Sequence, residues 1–167
     1  MQRFIIMGVS GCGKSSIGAG FAAKIGATFL DGDDLHPQAN VTKMSAGIPL
    51  NDADRAPWLA AVGQSFVTGD LPLVIGCSAL KRSYRDIIRD NAGGPVTFLF
   101  LDGSREIIGA RMAARENHFM PTALLDSQFA TLEPPGADEG ALRVNIDQPS
   151  EAIVTELVAH LSQASPN

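Results

Sequence analysis

Short apolar runs alternate with longer stretches of helical periodicity from one end of the chain to the other. The apolar runs lie at residues 3–7, 27–30, 73–76, 96–101 and 142–146. Because these runs are short and mostly apolar and alternate with helical patterns, they predict five strands of a parallel sheet that is covered on both faces. The predicted fold class is therefore α/β, with helices in a layer on each side of the sheet.

The stretches between the strands predict six helices, at residues 14–24, 55–67, 80–90, 104–115, 121–132 and 149–162. Ser104 is placed to cap the start of one helix, and Pro121 and Pro149 fit the first turns of two others. The pair Gly93 and Gly94 is typical of a helix end. These local signals agree with the periodicity.

Three segments fall outside this alternation. Residues 31–54 and 116–122 are polar and rich in turn-forming residues, and we expect them to be loops that carry function. Residues 133–140 contain two prolines and two glycines and predict an ordinary surface connection.

Composition narrows the possible roles. A chain of 167 residues with 45% apolar content can bury a core of its own, so we expect one domain over residues 1–167. The net charge of -5 argues against nucleic acid as a partner, because its phosphates need a basic face. No apolar run approaches the roughly 20 residues that span a membrane, and a cytoplasmic location is expected. Cys12 and Cys77 are expected to be reduced thiols.

The strongest motif is GVSGCGKS, a complete GxxxxGK[ST] match between a predicted strand and a predicted helix. Its backbone N–H groups and the following helix start predict a phosphate cradle for ATP. Lys14 is expected to reach the β and γ phosphates, and Ser15 to give an oxygen to Mg²⁺. The predicted nucleotide-binding residues of this segment are Gly8, Val9, Ser10, Gly11, Cys12, Gly13, Lys14, Ser15 and Ser16.

Two absences from the sequence favour a kinase over a GTPase or a motor. No NKxD run is present for guanine recognition, and the third predicted strand ends in Gly76, Cys77 and Ser78 where a Walker B aspartate would stand. A second contact to Mg²⁺ would then come from elsewhere, and Asp31 or Asp33 is placed for it. We assign it to Asp31.

An acceptor site is predicted beyond the second strand, because open parallel sheets bind ligands at the carboxyl ends of their strands. Asp33 is expected to take the proton of an attacking hydroxyl. The other interpretation is that Asp33 only solvates a turn or caps a helix. His36 fits a hydrogen bond to a substrate hydroxyl or a purely structural one.

A group of basic residues on the same side makes an acidic acceptor plausible. Arg55 suits a carboxylate, because its planar guanidinium matches two oxygens. Taken alone, each member fits a solvated helix face equally well. The group consists of Lys43, Arg55, Lys81, Arg82 and Arg85.

A helical lid is predicted over about residues 111–125. Arg111 and Arg115 are four residues apart and share a helix face. Arg115 is expected to close over the transferring phosphate, and Arg111 to stack on adenine, with Gln148 and Pro149 at the rim of the base pocket. A plain surface helix is the alternative.

With these residues in view, the chain closely resembles the gluconokinase family of P-loop kinases. The resemblance rests on GVSGCGKSS, on DGDDLHPQANVTKMSAGIPLNDADRAPWL, on CSALKRSYRD and on RENHFMPTALLDSQFATLEPP. These blocks begin at Gly8, Asp31, Cys77 and Arg115, and together the resemblance covers nearly the whole chain.

This resemblance implies a three-layer α/β/α P-loop kinase fold with sheet order 2-3-1-4-5. It implies ATP-dependent phosphorylation of D-gluconate to 6-phospho-D-gluconate with Mg²⁺, and a homodimer. His36, His118 and Gln128 are then expected at the substrate, and Trp58 fits a dimer surface or, more simply, the core. The alternatives are a P-loop kinase for another small acid such as shikimate, or a nucleotide-binding regulator without catalysis.

Overall fold

The computed structural model describes residues 2–114 and 122–164, with the side chains of 122–124 and 163–164 left aside. Within these residues, five parallel strands form one sheet in the order β2-β3-β1-β4-β5. The strands are β1 (Arg3–Met7), β2 (Thr28–Asp31), β3 (Leu73–Gly76), β4 (Thr97–Asp102) and β5 (Leu142–Asn145). The predicted sheet and its order are confirmed, with strand ends shifted by at most one residue.

Seven α-helices and two short 3-10 turns connect these strands in the described part of the chain. The 3-10 turns are Gly32–Leu35 and Ala137–Glu139. The helices are α1 (Lys14–Ile25), α2 (Gln38–Ser45), α3 (Asp52–Thr68), α4 (Arg82–Asn91), α5 (Arg105–Ala113), α6 (Thr122–Thr131) and α7 (Ser150–Ala164).

The central strand β1 shows how the sheet separates two cores. Phe4 and Ile6 face one layer, where α1 packs against α7, whereas Ile5 and Met7 face the other, where α3 packs against α4. All four side chains are fully buried. Alternate side chains of a strand point to opposite faces, so an apolar run of this kind can supply both cores.

The prediction that residues 31–54 form a loop is wrong. A 3-10 turn and helix α2 occupy half of the segment, and α3 begins at Asp52, before the predicted start at residue 55. The earlier start follows from a capping box: the Asn51 side chain accepts from the Asp54 backbone N–H, and Asp54 accepts from that of Asn51. The expected cap at Ser104 is confirmed, since its hydroxyl accepts from the Ile107 N–H.

The prediction of an ordinary surface connection at residues 133–140 is also wrong. The carboxylate of Glu139 is only 1% exposed and pairs with Arg85, which is fully buried. The predicted lid falls partly outside the described residues, because 115–121 are among those left out. Across residues 2–114 and 122–164, no helix is long and apolar enough to cross a membrane.

Candidate active site

The phosphate-loop motif connects β1 to α1 at the carboxyl edge of the sheet. Gly8, Gly11 and Gly13 have φ angles of 150°, 84° and 94°, which side-chain-bearing residues rarely adopt. The Gly8 N–H donates to the carbonyl of Ser78 at 3.2 Å and so ties the loop to the end of β3. Lys14 is the first residue of α1, so the positive end of that helix faces the loop.

A small pocket of about 90 Å³ lies at this edge and joins the phosphate loop to residues 31–36, here called the acceptor segment. Lys14 Nζ donates to the carbonyls of Gly8 and Val9 at 3.0 and 3.1 Å, which holds the ammonium beside the loop. The pocket is lined by Ser10, Lys14, Ser15, Asp31, Asp33, Gly76, Cys77 and Ser78. The structure therefore brings together the predicted phosphate, metal and base residues.

Asp31 and Asp33 sit at the end of β2 and in the 3-10 turn that follows it. Asp31 Oδ1 accepts the Asp33 N–H at 3.0 Å and caps this turn. The pKa of Asp33 is raised, first because neighbouring protein atoms displace part of its hydration and then because of the Asp31 charge; His36 and Lys14 oppose the shift. A raised pKa makes this carboxylate a better proton acceptor than an ordinary aspartate.

His36 follows the same turn and stacks on Trp58 of α3, with ring centroids 4.1 Å apart and planes 16° from parallel. The indole Nε1 donates to the Gly32 carbonyl at 2.8 Å. Trp58 is 5% exposed, which supports the core role over a dimer surface. The acceptor segment therefore contacts α3 through both a face and the N–H edge of the indole ring.

Two of the predicted basic residues lie close to the same aromatic ring. The Arg55 guanidinium and the Lys81 ammonium each lie 5.6 Å from the centroid of Tyr84. The Tyr84 hydroxyl donates to Asp52 at 2.6 Å, and Asp52 also lies 3.5 Å from Arg55 and 3.8 Å from Lys81. The Tyr84 bond, followed by the two cations, lowers the pKa of Asp52. Sequence reasoning missed Tyr84 and Asp52, although both lie inside the quoted family blocks.

The other basic residues of the predicted group have firmer partners. Lys43 Nζ lies 2.8 Å from Asp54 and so joins α2 to the start of α3. Arg82 forms a two-pronged pair with Asp138, at 3.0 and 2.6 Å, on the exposed surface. Arg85 lies in the core and binds Glu139. The structure thus places Arg82 and Arg85 in contacts with the 133–140 segment and not in the pocket with Asp33.

Arg111 lies on α5 beside the loop that follows β5. Its guanidinium donates to the carbonyls of Ile146 and Gln148, the latter at 3.1 Å. Gln148 in turn donates to the Asn145 carbonyl and to Glu156, both at 2.8 Å. A second pocket, of about 220 Å³, lies beside these residues. It is lined by Gly11, Cys12, Gly13, Ser16, Ile17, Arg111, Ala114 and Ser150.

Gln128 of α6 contacts the phosphate loop directly. Its Oε1 accepts from the Ser10 N–H at 2.6 Å, and its Nε2 donates to the Ser10 hydroxyl at 2.9 Å. The residue predicted to bind a substrate hydroxyl is thus held at the nucleotide side. Arg115 and His118 lie outside the described residues.

The chain is similar to known proteins over most of its length. A family model for the AAA domain matches residues 4–135. The thermosensitive gluconokinase of Escherichia coli (strain K12) is 51% identical over 152 residues, which cover 87% of this chain and 80% of that protein. The thermoresistant gluconokinase of the same organism is 45% identical over 161 residues, which cover 93% and 90%. The chain belongs to the gluconokinase family.

A solved gluconokinase from Sinorhizobium meliloti 1021 superimposes with a TM-score of 0.88 at 48% identity, over 96% of this chain and 91% of that one. This chain therefore has the P-loop kinase fold. The chain is accordingly a kinase that transfers phosphate to an alcohol group.

Proposed function

We propose that this protein catalyses the ATP-dependent phosphorylation of D-gluconate to 6-phospho-D-gluconate. The observation that carries the proposal is the single pocket in which Lys14 and Ser15 of the phosphate loop meet Asp33 of the acceptor segment. The curated relatives at 45% and 51% identity are named gluconokinases, which favours this acceptor over shikimate and favours catalysis over a regulator.

In the proposed reaction, the acceptor's hydroxyl oxygen forms a bond to the γ phosphorus of ATP. The bond between that phosphorus and the oxygen bridging to the β phosphate breaks, and ADP leaves. The hydroxyl proton passes to Asp33, whose raised pKa suits it to receive a proton. Lys14 and the loop N–H groups offset the negative charge around the transferring group.

The carboxylate end of gluconate is proposed to meet Arg55 and Lys81. Both cations are about one-third exposed and share Asp52 as a partner at 3.5 and 3.8 Å, which are long distances for ion pairs. A substrate carboxylate that replaces Asp52 as their partner would therefore disturb little. The Tyr84 ring would keep both cations near the substrate carboxylate, because each lies 5.6 Å from the centroid of that ring.

Mg²⁺ fits the donors that the pocket offers. The Ser15 hydroxyl and the Asp31 carboxylate both line it, and Mg²⁺ prefers such oxygen ligands together with phosphate oxygens and water. Asp31 uses Oδ1 for the Asp33 N–H, which leaves Oδ2 as the oxygen it can offer to a cation. Bound Mg²⁺ would supply positive charge beside the phosphates.

The remaining assignments belong to the same proposal. Arg111, Gln148 and Pro149 border the adenine side, supported by the Arg111 contacts to the loop after β5. The predicted roles of Arg115 at the transferring phosphate and of His118 at the substrate are kept in the proposal on the family resemblance alone. A homodimer and a cytoplasmic location complete the proposal.

The test is ATP consumption coupled to 6-phosphogluconate formation by the purified protein with Mg²⁺. D-gluconate, shikimate, glucose and related aldonates are offered side by side. We expect gluconate to give the highest kcat/KM, and Asp33→Asn to lower kcat by at least about 100-fold. Asp34→Asn, in the adjacent position of the same turn, is the matched control and should leave kcat unchanged. Preferred turnover of another acid would refute the substrate assignment, and equal losses in both variants would refute the role of Asp33.

A further inference from the structure

Asn40 of α2 is an unusual residue for a helix that lies mostly on the surface. Asn40 is 3% exposed, and among the described residues only Asn40 and Arg85 are polar or charged residues that are buried as a whole; Glu139 buries its side chain but exposes part of its backbone. Burying an amide is costly unless its hydrogen bonds are made. Asn40 Nδ2 lies 3.0 Å from the Asp54 carbonyl oxygen and 3.2 Å from Nδ1 of His36.

The first of these contacts fixes which way the amide points. A carbonyl oxygen can only accept, so the atom of Asn40 that faces Asp54 must be the NH2 nitrogen. That nitrogen carries two hydrogens, and the second is directed to His36 Nδ1. The ring nitrogen Nδ1 must then be an acceptor without a proton. The single proton of the neutral imidazole therefore lies on Nε2.

The ring that carries this proton is held in place by its neighbours. Trp58 stacks on one face of it, and the Trp58 indole is itself fixed by the Gly32 carbonyl. Within residues 2–114 and 122–164, no protein atom is hydrogen-bonded to His36 Nε2, and the residue is only half-buried. The Nε2–H is thus a donor available to a ligand.

We propose that Asn40 is a positioning residue, which holds His36 as the Nε2–H tautomer so that the imidazole donates a hydrogen bond to an acceptor oxygen. The inference rests on the proposed function for the identity of that acceptor. A hydroxyl that accepts from His36 keeps its own proton free to donate to a carboxylate. Asp33, which interacts electrostatically with His36, is such a carboxylate. This donor and acceptor combination suits a polyol.

The charged groups around His36 agree with a neutral ring. Burial is the main cause of its lowered pKa, Arg55 of α3 lowers it further, and Asp33 of the preceding turn opposes both. Protonation would also place a hydrogen on Nδ1, directly against the N–H of Asn40. At neutral pH the imidazole is therefore the uncharged donor.

The direct test is a long-range ¹H–¹⁵N correlation spectrum of the ¹⁵N-labelled protein at neutral pH, which distinguishes protonated from unprotonated ring nitrogens. The chain has three histidines, and the His36→Gln variant identifies the signals of His36. We expect Nε2 to be protonated and Nδ1 to be bare. A His36 ring protonated on Nδ1 would overturn the proposal, and this measurement needs no change at Asn40.

The variant Asn40→Asp tests whether Asn40 determines the tautomer of His36. A carboxylate accepts from Nδ1–H, so we expect the proton to move toward Nδ1 and the pKa of His36 to rise above its ordinary 6.5. Asn91→Asp is the matched control, because Asn91 also donates its amide to a backbone carbonyl, that of Ile87 at 2.8 Å, but on α4. The control should leave the His36 spectrum unchanged. Unchanged His36 signals in Asn40→Asp would refute the positioning role.

Steady-state kinetics then test whether the His36 tautomer matters for gluconate binding. We expect Asn40→Asp to raise the KM for gluconate about tenfold at unchanged KM for ATP, the size of one lost hydrogen bond. His36→Gln keeps a donor near the Nε2 position and should retain more activity than His36→Asn. If gluconate is not turned over but Nε2 carries the proton, the proposed function fails and the tautomer stands. If gluconate is turned over and Nδ1 carries the proton, the present inference fails alone.

Discussion

The buried ion pair between Arg85 and Glu139 allows a quantitative prediction of stability. Glu139 accepts from Arg85 at 2.7 and 3.0 Å, from Arg89 at 2.6 Å and from the Gly136 N–H at 2.9 Å. The substitution Glu139→Gln keeps the size of the side chain but removes its charge. It leaves the Arg85 guanidinium in the core without its counter-ion, which is the costly way to break a buried pair.

The magnitude follows from the pKa of Glu139. The Arg85 hydrogen bond, against the opposing effect of burial, lowers this pKa from 4.5 to about 2. At 1.36 kcal/mol per pH unit, the difference corresponds to about 3 kcal/mol of folding free energy at neutral pH. Arg89 is 25% exposed, so water screens part of its contribution. We therefore expect a loss of about 2–3 kcal/mol in the free energy of unfolding.

The sign of the pH dependence is fixed by the lowered pKa. The contribution is fully present above the unfolded value of 4.5 and is lost as the pH falls from 4.5 toward about 2. The wild-type protein should lose stability over this range, and Glu139→Gln should lose less. Urea denaturation followed by circular dichroism at pH 7 and at acidic pH measures both effects.

The neighbouring carboxylate provides the control. Asp138 pairs with Arg82 in the same segment, but these side chains are 64% and 48% exposed. Exposed pairs contribute about 0–1 kcal/mol, so Asp138→Asn should change the free energy of unfolding little. If Glu139→Gln and Asp138→Asn cost the same small amount, the argument from burial is wrong.

The remaining predictions concern the acceptor side. The pKa of Asp33 is raised above the ordinary aspartate value of 3.8, and a base must be unprotonated to accept a proton. The acid limb of the pH profile of kcat/KM should therefore lie above pH 3.8. A limb at or below that pH contradicts the assignment of Asp33 as the base. Gly32→Ala places a Cβ 2.4 Å from the Gly76 carbonyl oxygen and should cost about 1–3 kcal/mol in urea denaturation, whereas Gly109→Ala, with its nearest atom at 3.9 Å, should not. Arg55→Lys loses the planar fork and should raise the KM for gluconate about tenfold at unchanged KM for ATP; a matching rise for ATP would move Arg55 to the nucleotide.

The sheet could be predicted from the sequence because its evidence is local. The inner strands β3, β1 and β4 are short apolar runs that are buried on both faces, so their pattern is plain. The edge strands β2 and β5 are shorter signals, because part of each is exposed and β5 carries the polar Arg143 and Asn145. Helix α2 could not be predicted on the same grounds. Its apolar residues Val41 and Met44 are exposed, at 39% and 45%, while its buried residue is the polar Asn40. Hydrogen bonds from Asn40 to His36 and Asp54 therefore stabilise this helix, and α2 has no buried apolar face that a sequence pattern could show.

The phosphate loop was also readable from sequence, since its glycines, lysine and serine form a continuous motif. The partners of the charged side chains could not be predicted from the sequence. Glu139 lies 54 residues from Arg85, and nothing near it in the chain distinguishes it from the exposed Asp138 beside it. Only the folded chain brings the carboxylate against α4. A sequence can therefore suggest a cluster of cations without showing which members are already neutralised.

That distinction decides which cations can serve a substrate. Arg85 cannot exchange Glu139 for a ligand carboxylate, because the exchange would leave a charge without a partner in the core. Arg55 and Lys81 share one exposed aspartate at 3.5 and 3.8 Å, so a second carboxylate can approach them at little cost. Within the predicted basic group, the cations with the weakest internal partners are thus the ones best suited to bind an acidic acceptor. Both lie beside Tyr84, and Arg55 is also near enough to His36 to lower its pKa.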